Sequence, residues 1–177
     1  VATIEAILAV GAVPIVVDVD ETLNMAPDAL ANAISERTSG VVPVHMLGNP
    51  AEMDEICAIA SKNGLSIGED ACESLGASYK GTMTGTMGDT GCFSLDFGKT
   101  ITSGEGGFIL TNDAEIYFKM RSFHDHGHDY LKGIPRGLDT ATNVGFNYRM
   151  TEMQAAVGIE QLKKLDHILS SNRRHKA

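Results

Sequence analysis

What most constrains this chain is the way its apolar pattern changes period between residues 13 and 70. VPIVVDVD (residues 13–20) is a β-branched run suited to a buried strand. APDALANAIS follows, with Ala26, Leu30 and Ala33 at helical spacing and Pro27 near the start, where its missing N–H is not needed. GVVPVHM (40–46) is again strand-like. PAEMDEICAIASKNG (50–64) puts Met53, Ile56 and Ala60 on one side of a helix and ends on Gly64, a helix stop. LSIGED (65–70) is a third strand. Strand, helix, strand, helix, strand at these lengths points to parallel strands joined by right-handed crossovers. The predicted fold class is α/β: three layers, with a mainly parallel sheet flanked by helices.

The flanking segments extend this pattern. IEAILAVGA (4–12) reads as the end of an apolar helix stopped by Gly11. After Asp70 the glycine-rich KGTMTGTMGDTG (80–91) must be turns, and CFSL (92–95) and GGFILTN (106–112) are two further short strands. DAEIYFKMRSF (113–123) is a helix with Asp113 as its N-cap. Residues 124–149 have no clean period and are predicted to form a long loop, a kind that is usually functional. Residues 150–174 are predicted to form one long helix, with Thr151 or a neighbour as cap. No repeat and no linker interrupts the chain. It opens on Val1 and closes inside a helical pattern, so residues 1–177 are expected to be the central part of a larger domain.

Composition narrows the function. With 23 acidic and 14 basic side chains the net charge is −9, which speaks against a nucleic-acid partner needing a basic face. Cys57, Cys72 and Cys92 form no C-x-x-C pair and read as reduced thiols, which predicts a cytoplasmic location. No apolar run approaches the ~20 residues of a membrane span, and no basic-then-apolar leader is present.

In open α/β sheets, ligands sit at the carboxyl ends of the strands. Asp70 ends LSIGED, His45 ends GVVPVH, and Ser94 and Lys99 follow on CFSL. Pyridoxal phosphate needs such a set: an amine for its aldehyde, a carboxylate for its pyridine nitrogen, and hydroxyls and N–H groups for its phosphate. Lys99, Asp70 and Ser94 are candidates for these roles. On spacing alone, a solvated turn aspartate and a surface lysine account for the same residues. His45 is either a satisfied strand-end histidine or a contact of substrate or cofactor.

Further candidates lie on the long loop. His126, His128 and Arg136 can donate hydrogen bonds to the carboxylate and hydroxyls of a substrate. His124, His126 and His128 with Asp125 and Asp129 have the residue types of a metal site, but no further ligand pattern supports one, and no metal is predicted. Arg149 is a candidate for gripping a substrate carboxylate through two N–H groups, or else an ordinary salt bridge at a helix start. GEGG (104–107) is too short for a dinucleotide fingerprint.

The stretch EDACESLGASYKGTMTGTMGDTGCFSLDFGKTITSGEGGFILTND, with AILAVGAVPIVVDVD, VVPVHMLGNPAEMDEI and GFNYRMTEMQAAVGIEQLKKLD, resembles the DegT/DnrJ/StrS sugar aminotransferases among the fold-type I pyridoxal-phosphate enzymes. The resemblance runs in order over nearly the whole chain. It implies the large domain of the aspartate-aminotransferase-like fold, of which residues 1–177 would be the central part. The N-terminal phosphate loop, the aromatic residue stacking on the cofactor and the C-terminal small domain would lie outside it, so this piece alone is not expected to catalyse. It also implies Lys99 as the Schiff-base lysine, Asp70 as the pyridinium partner and Ser94 as a phosphate ligand. Asn147 would reach the cofactor phosphate of a neighbouring subunit, so a homodimer is implied.

Two features depart from the family pattern. Glu73 stands where the family usually has glutamine, close to the expected cofactor ring. The loop around HDHGHDYLKGIPRGLDTATN also looks longer than in common members, and with SLDFGKT it resembles the branch that aminates an eight-carbon keto-sugar acid, 3,8-dideoxy-8-oxo-manno-octulosonate. The resemblance thus implies transfer of an amino group from glutamate or glutamine to a keto- or aldehyde-sugar, in amino-sugar or cell-surface polysaccharide (lipopolysaccharide) biosynthesis. A deoxysugar dehydratase on the same scaffold is the competing reading, and those relatives carry histidine in place of the lysine. A non-catalytic regulator on the same fold is the third.

Overall fold

The computed structural model describes residues 1–176. In chain order the elements are α1 (Ala2–Ala9), α2 (Pro27–Ala33), β1 (Gly40–Val41), α3 (Met53–Asn63), β2 (Ser66–Asp70), β3 (Ser78–Tyr79), β4 (Thr82–Met83), β5 (Thr90–Ser94), β6 (Gly107–Leu110), α4 (Ala114–His124), α5 (Glu152–Leu162) and α6 (Leu165–Lys176). Short 3₁₀ turns occur at Met46–Gly48 and Arg136–Leu138. The main sheet has the order β1-β2-β5-β6. β1, β2 and β5 are parallel, and β6 runs antiparallel to β5. The expected α/β class is found, with helices on both sides of a mostly parallel sheet.

Strand parity decides what each face carries. Val41 pairs with Ile67, and Glu69 lies two residues further on the same face. That face is covered by α2 and α3, through a core of Leu30, Val41, Ala51, Met53, Ile56, Ala60 and Ile67. Asp70 pairs with Cys92, so Asp70, Cys92 and Ser94 share the opposite face. α1 lies there over a cavity of ≈ 390 Å³, lined in part by Thr3, Ile7, Val42, Asp70 and Cys92. Gly158 of α5 is buried, and a Cβ added to it would touch Leu95.

Several helices start and stop where the sequence predicts. Pro27 occupies the first turn of α2. Gly64 ends α3 in the left-handed region at φ 65°. The Asp113 carboxylate accepts from the N–H groups of Glu115 and Ile116. Thr151 and Gln154 form a capping box on α5.

The structure departs from the sequence reading in four places. Residues 13–20 form no strand; their one ladder contact is a bridge between Val19 and Met25, and Val13, Ile15 and Val16 are exposed. The side chains suit a strand, but among the described residues no neighbouring backbone pairs with residues 13–17; pairing begins only at Asp18, whose C=O accepts from Ala26 N–H at 3.1 Å. The predicted strand at 40–46 is a ladder only at Gly40 and Val41, with a further bridge from Val44 to Asp70. A hairpin of β3 and β4 interrupts the predicted turns, closed by Lys80 and Gly81 at φ 48° and 88°. Positive φ at both central residues is what a two-residue hairpin turn requires. Finally, the predicted single long helix is two helices, α5 and α6, with a break at residues 163–164.

Ile56 is fully buried in the α3 face of the core. Ile56→Ala should lower unfolding stability by about 2–5 kcal/mol, read as a lower urea midpoint with an unchanged slope.

Candidate active site

Adjacent residues at the end of β2 do different work. The Glu69 side chain is fully buried on the α3 face. Its Oε2 accepts from Gly85 N–H at 2.6 Å, and its Oε1 accepts from Met87 and Gly88 N–H, also at 2.6 Å. His45 Nε2 completes the set at 2.9 Å. Ala51 N–H donates to His45 Nδ1 at 3.1 Å, so the ring proton sits on Nε2 and is donated to Glu69. Burial pushes the Glu69 carboxyl up, but hydrogen bonds from His45, Gly88, Gly85 and Met87 outweigh it and hold the group below its ordinary value. His45 is thus a satisfied core histidine. The turn it helps to hold is tight: Gly85 has φ +79°, and a Cβ there would lie 2.4 Å from the Phe93 ring.

Asp70, on the other face, ends β2 half-buried. Its Oδ2 accepts from the Thr3 hydroxyl of α1 at 2.7 Å, and its Oδ1 from Cys72 N–H at 3.2 Å. Cys72 follows as the chain turns. Burial pushes its thiol up to about 12; the Asp70 carboxylate adds to this and the Lys99 ammonium opposes it. The thiol therefore stays protonated and is no nucleophile. Lys99 lies in the turn after β5, its N–H donating to Asp96 C=O at 3.1 Å. Its Nζ is 3.6 Å from Glu73 Oε1, with the lysine side chain 26% exposed. Ser94 ends β5 one strand over from Asp70, and its Oγ accepts from Asp96 N–H at 3.2 Å. The fold therefore brings Asp70, Glu73, Ser94 and Lys99 to the carboxyl ends of two neighbouring parallel strands. Thr3 is a contact the sequence did not reveal. A hydroxyl in the first turn of an apolar helix was its only signal, and its partner lies 67 residues away.

The remaining candidates surround a second carboxylate. Asp125, 2% exposed, pairs with the guanidinium groups of Arg136 and Arg149 and accepts from the Tyr130 hydroxyl at 2.6 Å. Arg136 above all, then Tyr130 and Arg149, hold its carboxyl well below the usual carboxylate range against the effect of burial. Arg121 stacks on the Tyr130 ring at 3.8 Å. The long loop is thus ordered around Asp125, with bridges from Asp125 to Asn147 and from His128 to Ala141. Arg149 is engaged by this carboxylate. His126 is exposed in the left-handed region at φ 56°. His128 Nδ1 is buried without a hydrogen bond, 3.8 Å from Asp139. Asn147 is exposed, its Oδ1 accepting from Arg149 N–H at 3.4 Å. No hydrogen bond joins His126, His128, Asn147 or Arg149 to the cluster at Lys99. Among the described residues, no group of three or more His, Cys, Asp or Glu is arranged to hold a metal ion, and no helix is long and apolar enough to cross a membrane.

The profile of the DegT/DnrJ/EryC1/StrS aminotransferase family matches residues 1–177. A GDP-perosamine synthase of Caulobacter vibrioides is 41% identical over 165 residues, 93% of this chain and 43% of that protein. An aminotransferase structure from Psychrobacter cryohalolentis superposes with a TM-score of 0.87 at 39% identity, over 92% of this chain and 43% of the other. An E. coli GDP-4-keto-6-deoxy-D-mannose-3-dehydratase with bound hydrated PLP superposes with a TM-score of 0.80 at 36% identity, over 89% of this chain and 44% of the other. The chain spans less than half the length of these relatives.

Asp125 carries the loop's order, so its charge should be felt there. A carboxyl depressed in the folded state adds stability above its unfolded value, and that stability is lost as pH falls through the folded value. Asp125→Asn should cost about 1–3 kcal/mol at neutral pH and make residues 126–146 the first site of limited proteolysis. The difference from the unchanged protein should shrink as the medium is made strongly acid.

Proposed function

The chain belongs to the DegT/DnrJ/EryC1/StrS aminotransferase family, and from that premise we propose that the whole protein is a pyridoxal-phosphate-dependent transaminase acting on a keto- or aldehyde-sugar. The observation that carries the reading is the convergence of Lys99, Asp70 and Ser94 at the carboxyl ends of β2 and β5. These residues fit the cofactor's chemistry, with an amine for the aldehyde, a carboxylate for the ring nitrogen and a hydroxyl for the phosphate. Bound there, pyridoxal phosphate supplies an electron sink for the carbon that gains or loses the amino group.

The residues of this chain do the rest. Lys99 would be the attachment point, and its amine would move the proton at the reacting carbon. Asp70 keeps the ring nitrogen protonated, and its Thr3 and Cys72 contacts aim the carboxylate. Ser94 holds the phosphate. Glu73 would lie beside the ring and offer a carboxylate where the resemblance expects an amide. His126, His128 and Arg149 line the approach of the sugar, with Arg149 exchanging part of its Asp125 contact for a substrate carboxylate. Glutamate or glutamine is the donor and an eight-carbon sugar acid the acceptor. The lysine at 99, where dehydratase relatives carry histidine, favours amino transfer over dehydration.

A homodimer completes the site, with Asn147 reaching the phosphate in the neighbouring subunit. Its exposure supports this, as does its place between Phe146 and Tyr148, 50% and 66% exposed and stacked on each other. Exposed aromatic patches of this kind mark interfaces.

Borohydride treatment of the full-length protein loaded with pyridoxal phosphate should fix the cofactor on Lys99, read by peptide mass mapping. Label on another lysine, or none, would refute the reading. For the dimer, inactive Lys99→Ala and Asn147→Ala subunits, mixed and allowed to exchange, should regain roughly a quarter of the wild-type rate. Half the dimers are then mixed, and each keeps one intact site. No recovery after proven exchange would place Asn147 outside the neighbour's site.

A further inference from the structure

The side chains of Glu69 and His45 make no hydrogen bond with the side chains assigned to the cofactor, yet the structure connects them. His45 bonds at both ends of its ring, to Glu69 across the strand and to Ala51 N–H six residues ahead. The second bond closes residues 45–51 into a clasp. At its tip Leu47 adopts φ 54°, a region costly for a branched side chain, and the side chain itself is 76% exposed. That conformation does nothing for the leucine side chain. It directs the Leu47 N–H to Glu73 Oε2 at 3.0 Å, while Glu73 Oε1 lies 3.6 Å from Lys99 Nζ. Asn24, 1% exposed, accepts from Met46 N–H at 2.8 Å and donates to Asn49 C=O at 3.1 Å, steadying the other flank.

We propose that Glu69 and His45 are positioning residues: they hold the 45–51 clasp so that the Leu47 N–H fixes the Glu73 carboxylate, and Glu73 in turn confines the Lys99 amine at the cofactor end of the sheet. This rests on the reading that Lys99 carries the cofactor. A lysine side chain has four rotatable bonds and gives up that freedom only to a fixed partner. An exposed carboxylate free to rotate would confine nothing. Glu73 serves because one of its oxygens is tied to a backbone N–H that is itself held from the buried side of the sheet. The strain at Leu47 then has a function, since the conformation that carries it is the one that presents the N–H to Glu73.

The test measures the approach of the amine, apart from turnover. Full-length protein without cofactor is treated with pyridoxal phosphate and borohydride, and separately with formaldehyde and cyanoborohydride, and the labelling rate of Lys99 is followed by peptide mass. Pyridoxal phosphate is held by other residues of the site and meets only a correctly aimed amine; formaldehyde needs no aim. In Glu73→Gln and in His45→Phe, labelling by pyridoxal phosphate should slow about three- to tenfold, while labelling by formaldehyde should change less than about twofold. The double variant should be no slower than either single one, because both act through one carboxylate. Circular dichroism melts establish that each variant is folded. If His45→Phe is not, His45→Gln, whose amide can donate to Glu69 or accept from Ala51 N–H but lacks the ring shape that serves both, carries the same expectation. Unchanged labelling in folded variants, or equal slowing with both reagents, would overturn the proposal and leave the clasp a scaffold alone. A wild-type Lys99 that pyridoxal phosphate does not label at all would instead overturn the transaminase reading, and this inference with it.

Discussion

A carboxylate removed from water costs several kcal/mol unless hydrogen bonds replace its hydration. Glu69 meets that demand with three backbone N–H groups and the His45 ring, and the architecture around the site depends on the arrangement. The three N–H groups belong to the turn of residues 85–88, which has no helix or ladder of its own to satisfy them. The carboxylate therefore organises the glycine-rich turn from within, and the turn fixes where β5 begins. Gly91 on β5 lies so close to Gly85 that an added Cβ would sit 2.0 Å from its carbonyl oxygen. Packing this close leaves the entry to β5, and so the place of Ser94 and Lys99 at its exit, little freedom.

The long loop solves a similar problem with the opposite charge balance. Asp125 is a single buried acid facing two guanidinium groups, Arg136 and Arg149. Two cations on one carboxylate leave a surplus positive charge near an exposed Asn147. That is the electrostatic character an incoming anionic group prefers. The same surplus explains how Arg149 can serve as an anchor for the loop and still have bonding capacity for a ligand, since a guanidinium has five N–H donors and Asp125 occupies only some of them.

Much of the fold was legible because it depends on local rules. The starts of α2, α4 and α5 follow from Pro27, Asp113 and Thr151, and the end of α3 follows from Gly64. The placement of Asp70, Ser94 and Lys99 at the carboxyl ends of neighbouring strands was legible as a strand-end pattern. What was not legible depended on partners distant in sequence. VPIVVDVD has the side chains of a two-sided buried strand, but a strand exists only as a pair, and residues 13–17 meet no such partner among the described residues. The hairpin at 78–83 was hidden because its strands are two residues long and too short for alternation to show. The break after α5 left no mark in the sequence, with no proline or glycine at residues 163–164. In the site, Thr3 and Glu69 were missed for different reasons. Thr3 meets Asp70 only through tertiary folding. Glu69 was overshadowed by its neighbour, although an acidic doublet at the end of a strand must send its two side chains to opposite faces.

That doublet also shows why the register of β2 cannot drift. Glu69 turns inward to the 85–88 turn and Asp70 outward to the face that α1 and the site share. A slip of one residue would exchange their faces. In one direction it would bring Asp70, one methylene shorter, to the three N–H groups; in the other it would bring Glu69 to the place where the ring nitrogen of a cofactor is expected. Nothing in the composition of β2 forbids this, since either residue is an acid. The ladder does. Asp70 N–H donates to Pro43 C=O at 2.9 Å and Asp70 C=O accepts from His45 N–H at 3.1 Å, while Ala71 N–H donates to Cys92 C=O at 2.9 Å. His45 therefore acts twice, its backbone setting the register of Asp70 and its ring holding Glu69. One residue thus couples the depth of the buried Glu69 carboxylate to the position of Asp70, so that the two cannot be shifted independently.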